Sequence, residues 1–117
     1  MELQEIMRQR VFAVVGNTLD SDKYAYKIKQ GMIEKGYTVY AVGKELPSLN
    51  DVPEEIDIID LCIHPAKGLE LMRECSKSFK CIVLQPGAES AELTAYLEEK
   101  GMPYINGCLL VGMRLFT

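Results

Sequence analysis

The sequence predicts an α/β fold, a mostly parallel sheet of about five strands with helices on both faces in three layers. Three observations carry that prediction. Short β-rich apolar runs alternate with segments of helical period along the chain, and glycines and prolines fall at the junctions between them. A length of 117 residues gives one core and no second lobe.

Residues 11–15 form a continuous apolar run closed by Gly16, the pattern of a parallel strand buried on both faces. Asp20, Ser21 and Asp22 are N-cap residue types, which places a helix start close to Asp22. Tyr24, Ile28, Met32 and Ile33 then recur at helical spacing, and Gly36 ends the helix. Residues 37–42 are the second strand. Residues 47–57 are a polar, proline-punctuated connection with room for one helical turn at 49–52. Residues 58–63 are the third strand, stopped by Pro65. Residues 67–76 place Leu69, Leu71, Met72 and Cys75 on one side of a helix. Residues 81–84 are the fourth strand, ended by Gly87. Residues 88–100 form a helix ended by Gly101, and residues 104–105 a short fifth strand. The tail, 108–116, is apolar enough to be buried, and its pattern leaves strand and helix both open.

Composition narrows the function. The formal net charge is −4 and the Lys and Arg residues are scattered, which argues against nucleic acid as a partner. The first ten residues lack an apolar leader core, and no stretch approaches membrane-spanning length. A cytoplasmic protein without a membrane partner is therefore the expectation. Cys62, Cys75, Cys81 and Cys108 show no CxxC or zinc-knuckle spacing and are read as reduced. A homo-oligomer is compatible with the sequence but not fixed by it.

In an open parallel sheet, ligands bind at the carboxyl ends of the strands where the strand order reverses. That rule nominates the segments 16–26, 42–45, 64–67 and 85–87. In the first, Gly16 permits a tight turn, Asn17 and Thr18 offer donors, the helix N-terminus carries partial positive charge and Lys23 adds a cation. The remainder of a GxGxxG fingerprint is absent, so this turn alone divides evenly between an anion cradle and a plain turn with a cap. Lys44 stands where NAD sites commonly carry an acid. It suits a phosphorylated ribose, as in NADP or coenzyme A, although a solvated turn lysine is the commoner role and Glu45 follows it. His64, the single histidine, lacks a carboxylate close enough to make it a general base, since Asp60 lies too far back along the strand. Its expected role is pocket lining or hydrogen bonding. Cys62 and His64 share a strand face, but zinc needs three or four ligands, so no metal site is expected. No GxSxG elbow, Walker loop or zincin motif is present, and no catalytic set emerges.

Taken in order, the pieces VVGNT with the helix opening DKYAYKI, then KGYTVYAV, PSLNDVPEEIDIIDLCIHP, VLQPG and NGC form a recognisable series. Over residues 11–108 the chain resembles the small single-domain CoA-binding proteins related to the CoA-binding Rossmann domain of succinyl-CoA synthetase. In that register Thr18 takes the position of a loop Ser, Lys23 that of an Arg and Tyr26 that of a Tyr. Gln85 and Gly87 match a QLG, and Cys108 an RC. Four departures stand out. Gly43-Lys44 replaces Asn-Pro, and about ten residues are missing before PSL. Ile63-His64 replaces an Arg pair, and Met113 replaces a His.

The resemblance implies a single CoA-binding-like Rossmann domain over residues 1–117 that holds a small-molecule nucleotide, coenzyme A or an acyl-CoA, without catalytic residues. Gly16, Asn17 and Thr18 would cradle the pyrophosphate, with Lys23 balancing its charge and Tyr26 alongside. Val42, Gly43 and Lys44 would face the adenosine. His64, Pro65, Gln85, Pro86 and Gly87 would line the remaining cleft. Two alternatives stay open: an NADP-type dinucleotide-binding component of an oxidoreductase, and a structural or regulatory relative without a ligand. Cys62 and Cys108 are read as inert cysteines in preference to partners of a mixed disulfide with the CoA thiol.

Overall fold

The computed structural model describes residues 1–117. Five strands, β1 (Val11–Gly16), β2 (Thr38–Gly43), β3 (Ile58–Cys62), β4 (Cys81–Leu84) and β5 (Tyr104–Asn106), form one sheet in the order β2-β1-β3-β4-β5. Every neighbouring pair is parallel. The helices are α1 (Leu3–Ile6), α2 (Tyr24–Glu34), α3 (Pro65–Glu74), α4 (Ala91–Glu99) and α5 (Leu109–Phe116), with a 3₁₀ turn at Leu49–Asp51. None is long and apolar enough to cross a membrane.

Alternation along the strands decides which layer each side chain joins. Phe12 and Val14 of β1, with Ile58 of β3 and Val83 of β4, pack under α1, α2 and α5 through Ile6, Ile28, Met32, Leu109 and Met113. Ala13 and Val15, with Ile59, Leu61, Ile82 and Leu84, pack under α3, α4 and the 3₁₀ turn through Leu69, Met72, Leu93, Leu97 and Leu49. The helix joining β1 to β2 thus covers one face, and the helix joining β3 to β4 covers the other. Right-handed crossovers require this when the direction of strand addition reverses, and the reversal falls between β1 and β3.

The helices depart from the sequence reading in detail: α1 has no counterpart in it, α3 begins at Pro65 ahead of the expected residue 67, and α4 begins at Ala91, past the expected residue 88. Asp20 accepts a hydrogen bond from the Asp22 N–H (3.0 Å), forming a turn of its own, so α2 begins two residues beyond the expected cap, with Lys23 at the N-cap position. The apolar tail is helical. Leu109, Gly112 and Met113 are its buried positions, and Gly112 lets Met7 lie so close that a Cβ there would stand 2.7 Å from the Met7 sulfur.

The N-terminal edge of the sheet is tied by Asp57. Its Oδ2 accepts from the backbone N–H groups of Val11 (2.9 Å) and Arg10 (3.1 Å), and Oδ1 pairs with the Lys80 ammonium at 3.3 Å. At the opposite, carboxyl end of the strands, side chains and backbone amides meet a cleft.

Candidate functional site at the carboxyl ends of the strands

At the topological reversal, Gly16 ends β1 between β2 and β3. A Cβ on Gly16 would lie 2.3 Å from the Cys62 carbonyl oxygen and 3.0 Å from the Ala25 Cβ, and one on Gly43 would lie 2.9 Å from the Gly16 carbonyl oxygen. Both residues have positive φ, +155° and +122°. The strand ends and the start of α2 therefore close up around two glycines, for the reason glycine is used wherever backbones approach this closely.

Above this junction lies a cleft of about 350 Å³. The β1–α2 segment contributes Asn17, Lys23, Tyr24 and Ala25. The end of β3 contributes Cys62, Ile63 and His64, and the end of β4 Pro86, Gly87 and Ala88. No side chain caps α2, in contrast to the 3₁₀ turn, α3 and α4, which Ser48, His64 and Ser90 cap. The first amides of α2 thus present unpaired N–H groups at the wall of the cleft, beside the Lys23 ammonium, an arrangement suited to an anion. A second recess of about 280 Å³ adjoins the first and shares Tyr24, Cys62 and Pro86 with it. Gln85, Cys108 and Val111 complete its wall.

The other residues singled out from the sequence have different surroundings. Thr18 is buried, and its hydroxyl donates to Glu45 Oε2 at 2.7 Å. Tyr26 is half-buried on α2 and lines neither recess; Tyr24 does so instead. Val42 is buried in the core, while Gly43 and Lys44 form an exposed turn at the end of β2, outside both recesses. His64 accepts the Ala66 N–H at Nδ1 (3.2 Å), so it caps α3 while its ring borders the cleft, and Pro65 is the first residue of that helix. Gln85 is buried, with Oε1 accepting the Leu109 N–H at 2.8 Å, which fixes the start of α5. Ala25, Ile63, Ala88 and Val111 had no chemical signal in the sequence; their small or apolar side chains enter only because the fold brings those backbone positions to the rim.

Two ionisable groups under the cleft are perturbed. Asp60 lies on β3 between Val14 and Val83, fully buried, with neither carboxylate oxygen hydrogen-bonded. Burial raises its pKa well above the ordinary carboxylate range. Cys62, one pleat further along the same strand, has a thiol pushed up to about 12 by burial first and then by the nearby Asp60 and Cys108. A thiol so disposed stays protonated at neutral pH and is a poor nucleophile.

Comparison with known proteins places this geometry in context. The sequence matches the CoA binding domain family over residues 10–114. A conserved hypothetical protein from Pyrococcus furiosus is similar at 30% identity and TM-score 0.79, with 88% of this chain and 98% of that chain covered. A Thermus thermophilus structure shares 24% identity at TM-score 0.81 over 100% of both chains. A dinucleotide-forming acetyl-coenzyme A synthetase 1 from Ca. Korarchaeum cryptofilum has the same fold, with 22% identity and TM-score 0.72 over 89% of this chain and 27% of that one. Comparison with curated proteins gives no match. A five-stranded parallel sheet with its cleft at the β1/β3 reversal and a family match spanning nearly the whole length lead to one assignment: the chain belongs to the CoA binding domain family.

Proposed function

We propose that this protein binds coenzyme A or an acyl-CoA in the strand-end cleft and acts as a non-catalytic binding or regulatory module. The observation that carries this is the uncapped N-terminus of α2, facing the cleft beside Asn17 and Lys23 in a chain of the CoA binding domain family. The pyrophosphate rests on those amides, with Lys23 offsetting its charge. The pantetheine arm runs over the ends of β3 and β4, past His64, Pro86 and Gly87, toward the recess walled by Tyr24, Cys108 and Val111, which receives the thiol or a short acyl group.

A binding role without chemistry fits the side chains. The Nδ1 atom of His64 is engaged with a backbone amide, Asp60 is sealed in the core, and the Cys62 thiol is held protonated. Isothermal titration with CoA, dephospho-CoA and NADP tests the proposal. Binding by CoA-type ligands and not by NADP is expected; absence of heat with both CoA and dephospho-CoA at millimolar concentration refutes it.

A further inference from the structure

The turn after β2 folds back tightly. The Gly43 N–H donates to the Leu46 carbonyl (2.7 Å), and the Leu46 N–H donates to the Ala41 carbonyl (3.0 Å). This places Glu45 over the loop after β1. Its Oε2 accepts from the Thr18 hydroxyl and from the Lys29 ammonium of α2, each at 2.7 Å. Thr18 is only 1% exposed, so the carboxylate is anchored on a buried hydroxyl, whereas the Glu45 side chain itself is 35% exposed. Its Oε1 makes no hydrogen bond within the protein. The anchors, Lys29 first and Thr18 next, hold the acid below the ordinary carboxylate range, so it is ionised at neutral pH.

An acid at the end of the second strand in this type of sheet is where ribose hydroxyls of a bound nucleotide are read, with the pyrophosphate on the helix after the first strand. We infer that Glu45 is a specificity-determining residue for the ribose. Its unengaged oxygen accepts from free 2′- and 3′-hydroxyls, and its charge disfavours a ribose phosphate. The inference rests on the proposed CoA-type reading of the cleft and refines it: the favoured ligand is an adenosine pyrophosphate carrying a pantetheine arm and an unphosphorylated ribose. Lys44, next to Glu45 in the turn, forms no ion pair and is the one cation there free to offset a phosphate, because Lys29 is committed to Glu45.

Side-by-side titration of the full chain with CoA and dephospho-CoA reads the preference directly, and ADP and NAD separate recognition of the ribose from recognition of the arm. The expected result is dephospho-CoA binding about tenfold more tightly than CoA, as one charge-assisted hydrogen bond gained or one like charge met would give. ADP and NAD should bind more weakly than dephospho-CoA. Glu45→Gln, checked for folding by its thermal transition, should bring CoA and dephospho-CoA within about twofold of each other. Two results overturn the inference while leaving the CoA-type reading standing. They are CoA binding as tightly as dephospho-CoA or more so, and a preference that persists unchanged in Glu45→Gln. Failure of both CoA and dephospho-CoA to bind overturns the underlying reading and the inference with it. If Glu45→Gln does not fold, the wild-type comparison still overturns the inference when CoA binds as tightly as dephospho-CoA.

Discussion

Asp60 offers the sharpest test of how the sheet supports this site. Its carboxyl is fully buried between Val14 and Val83 with no hydrogen bond to any protein group, so the folded protein keeps it protonated. The sign of the pH effect follows. Its folded pKa is raised, so above the ordinary carboxylate range the unfolded chain releases a proton that the folded chain retains. Stability then falls as pH rises, at up to about 1.4 kcal/mol per pH unit, until the folded carboxyl itself ionises. Asp60→Val removes this cost and suits a central strand, being β-branched and close in volume. It also removes an unpaired buried polar group, worth about 1–3 kcal/mol even where the acid is neutral in both states. Urea unfolding of both proteins at several values between about pH 4 and pH 8, compared at each pH, isolates the contribution of this residue. The variant should be the more stable throughout, by a margin that widens toward neutrality. A variant less stable than the parent, or a difference flat across the range, would refute the reasoning, because either means that the carboxyl is partnered or ionised in the folded protein.

Other outcomes follow from the same geometry. Gly16→Ala would push a Cβ to 2.3 Å from the Cys62 carbonyl oxygen at a positive φ, so a loss of about 3 kcal/mol or more is expected in chemical denaturation; a loss under about 1 kcal/mol contradicts the close approach. Asp57→Ala should cost about 2 kcal/mol through its two abandoned backbone N–H groups. Burial pushes Asp57 up, but the Val11 and Arg10 amides and Lys80 outweigh burial and hold it low, so the charge-dependent part of its contribution is complete above the ordinary carboxylate range and fades as pH falls through its lower folded value; a thermal stability difference that does not shrink at strongly acid pH contradicts this. Cys62, with its thiol pushed up to about 12, should resist iodoacetamide at neutral pH in the native protein and form no CoA-sized adduct under mild oxidation; intact mass reads both, and rapid labelling of Cys62 contradicts its protonated state.

The strands were legible in the sequence because a parallel strand buried on both faces reads as an unbroken apolar run, as residues 11–15 and 81–84 do. The short α1 was not legible: its polar neighbours mask Ile6 and Met7, whose burial depends on α5 lying across them. The tail was ambiguous because Gly112 carries no apolar side chain to mark the helical period, although it is one of the buried positions. At the site, topology alone located the strand ends, and the cleft does gather Asn17, Lys23, His64, Pro86 and Gly87. Individual pairings were beyond reach. Thr18 and Glu45 are 27 residues apart, and nothing in local spacing says that one lies over the other. Gln85 similarly turns its amide to Leu109 because β5 and α5 return beside β4, a consequence of sheet order and not of the QPG sequence.

The segment that departs most from the resemblance is also the one whose parts depend on each other. Gly43 sits opposite Gly16 in the sheet register and approaches its carbonyl so closely that any side chain would have to displace backbone, at a φ that residues with a Cβ rarely adopt. An Asn at this position would therefore strain the turn, and a Pro in place of Lys44 would further restrict the backbone just before the tip. The tight return from Gly43 to Leu46 in turn fixes Glu45 over Thr18 and Lys29. A connection about ten residues longer would have no need of this geometry and no means of enforcing it. The short turn, the glycine and the anchored carboxylate thus act together: the tight return is what holds Glu45 over Thr18 and Lys29. A stretch that in the sequence is only a connection about ten residues short is, in three dimensions, a tight turn with a buried hydroxyl and an ammonium committed to its carboxylate.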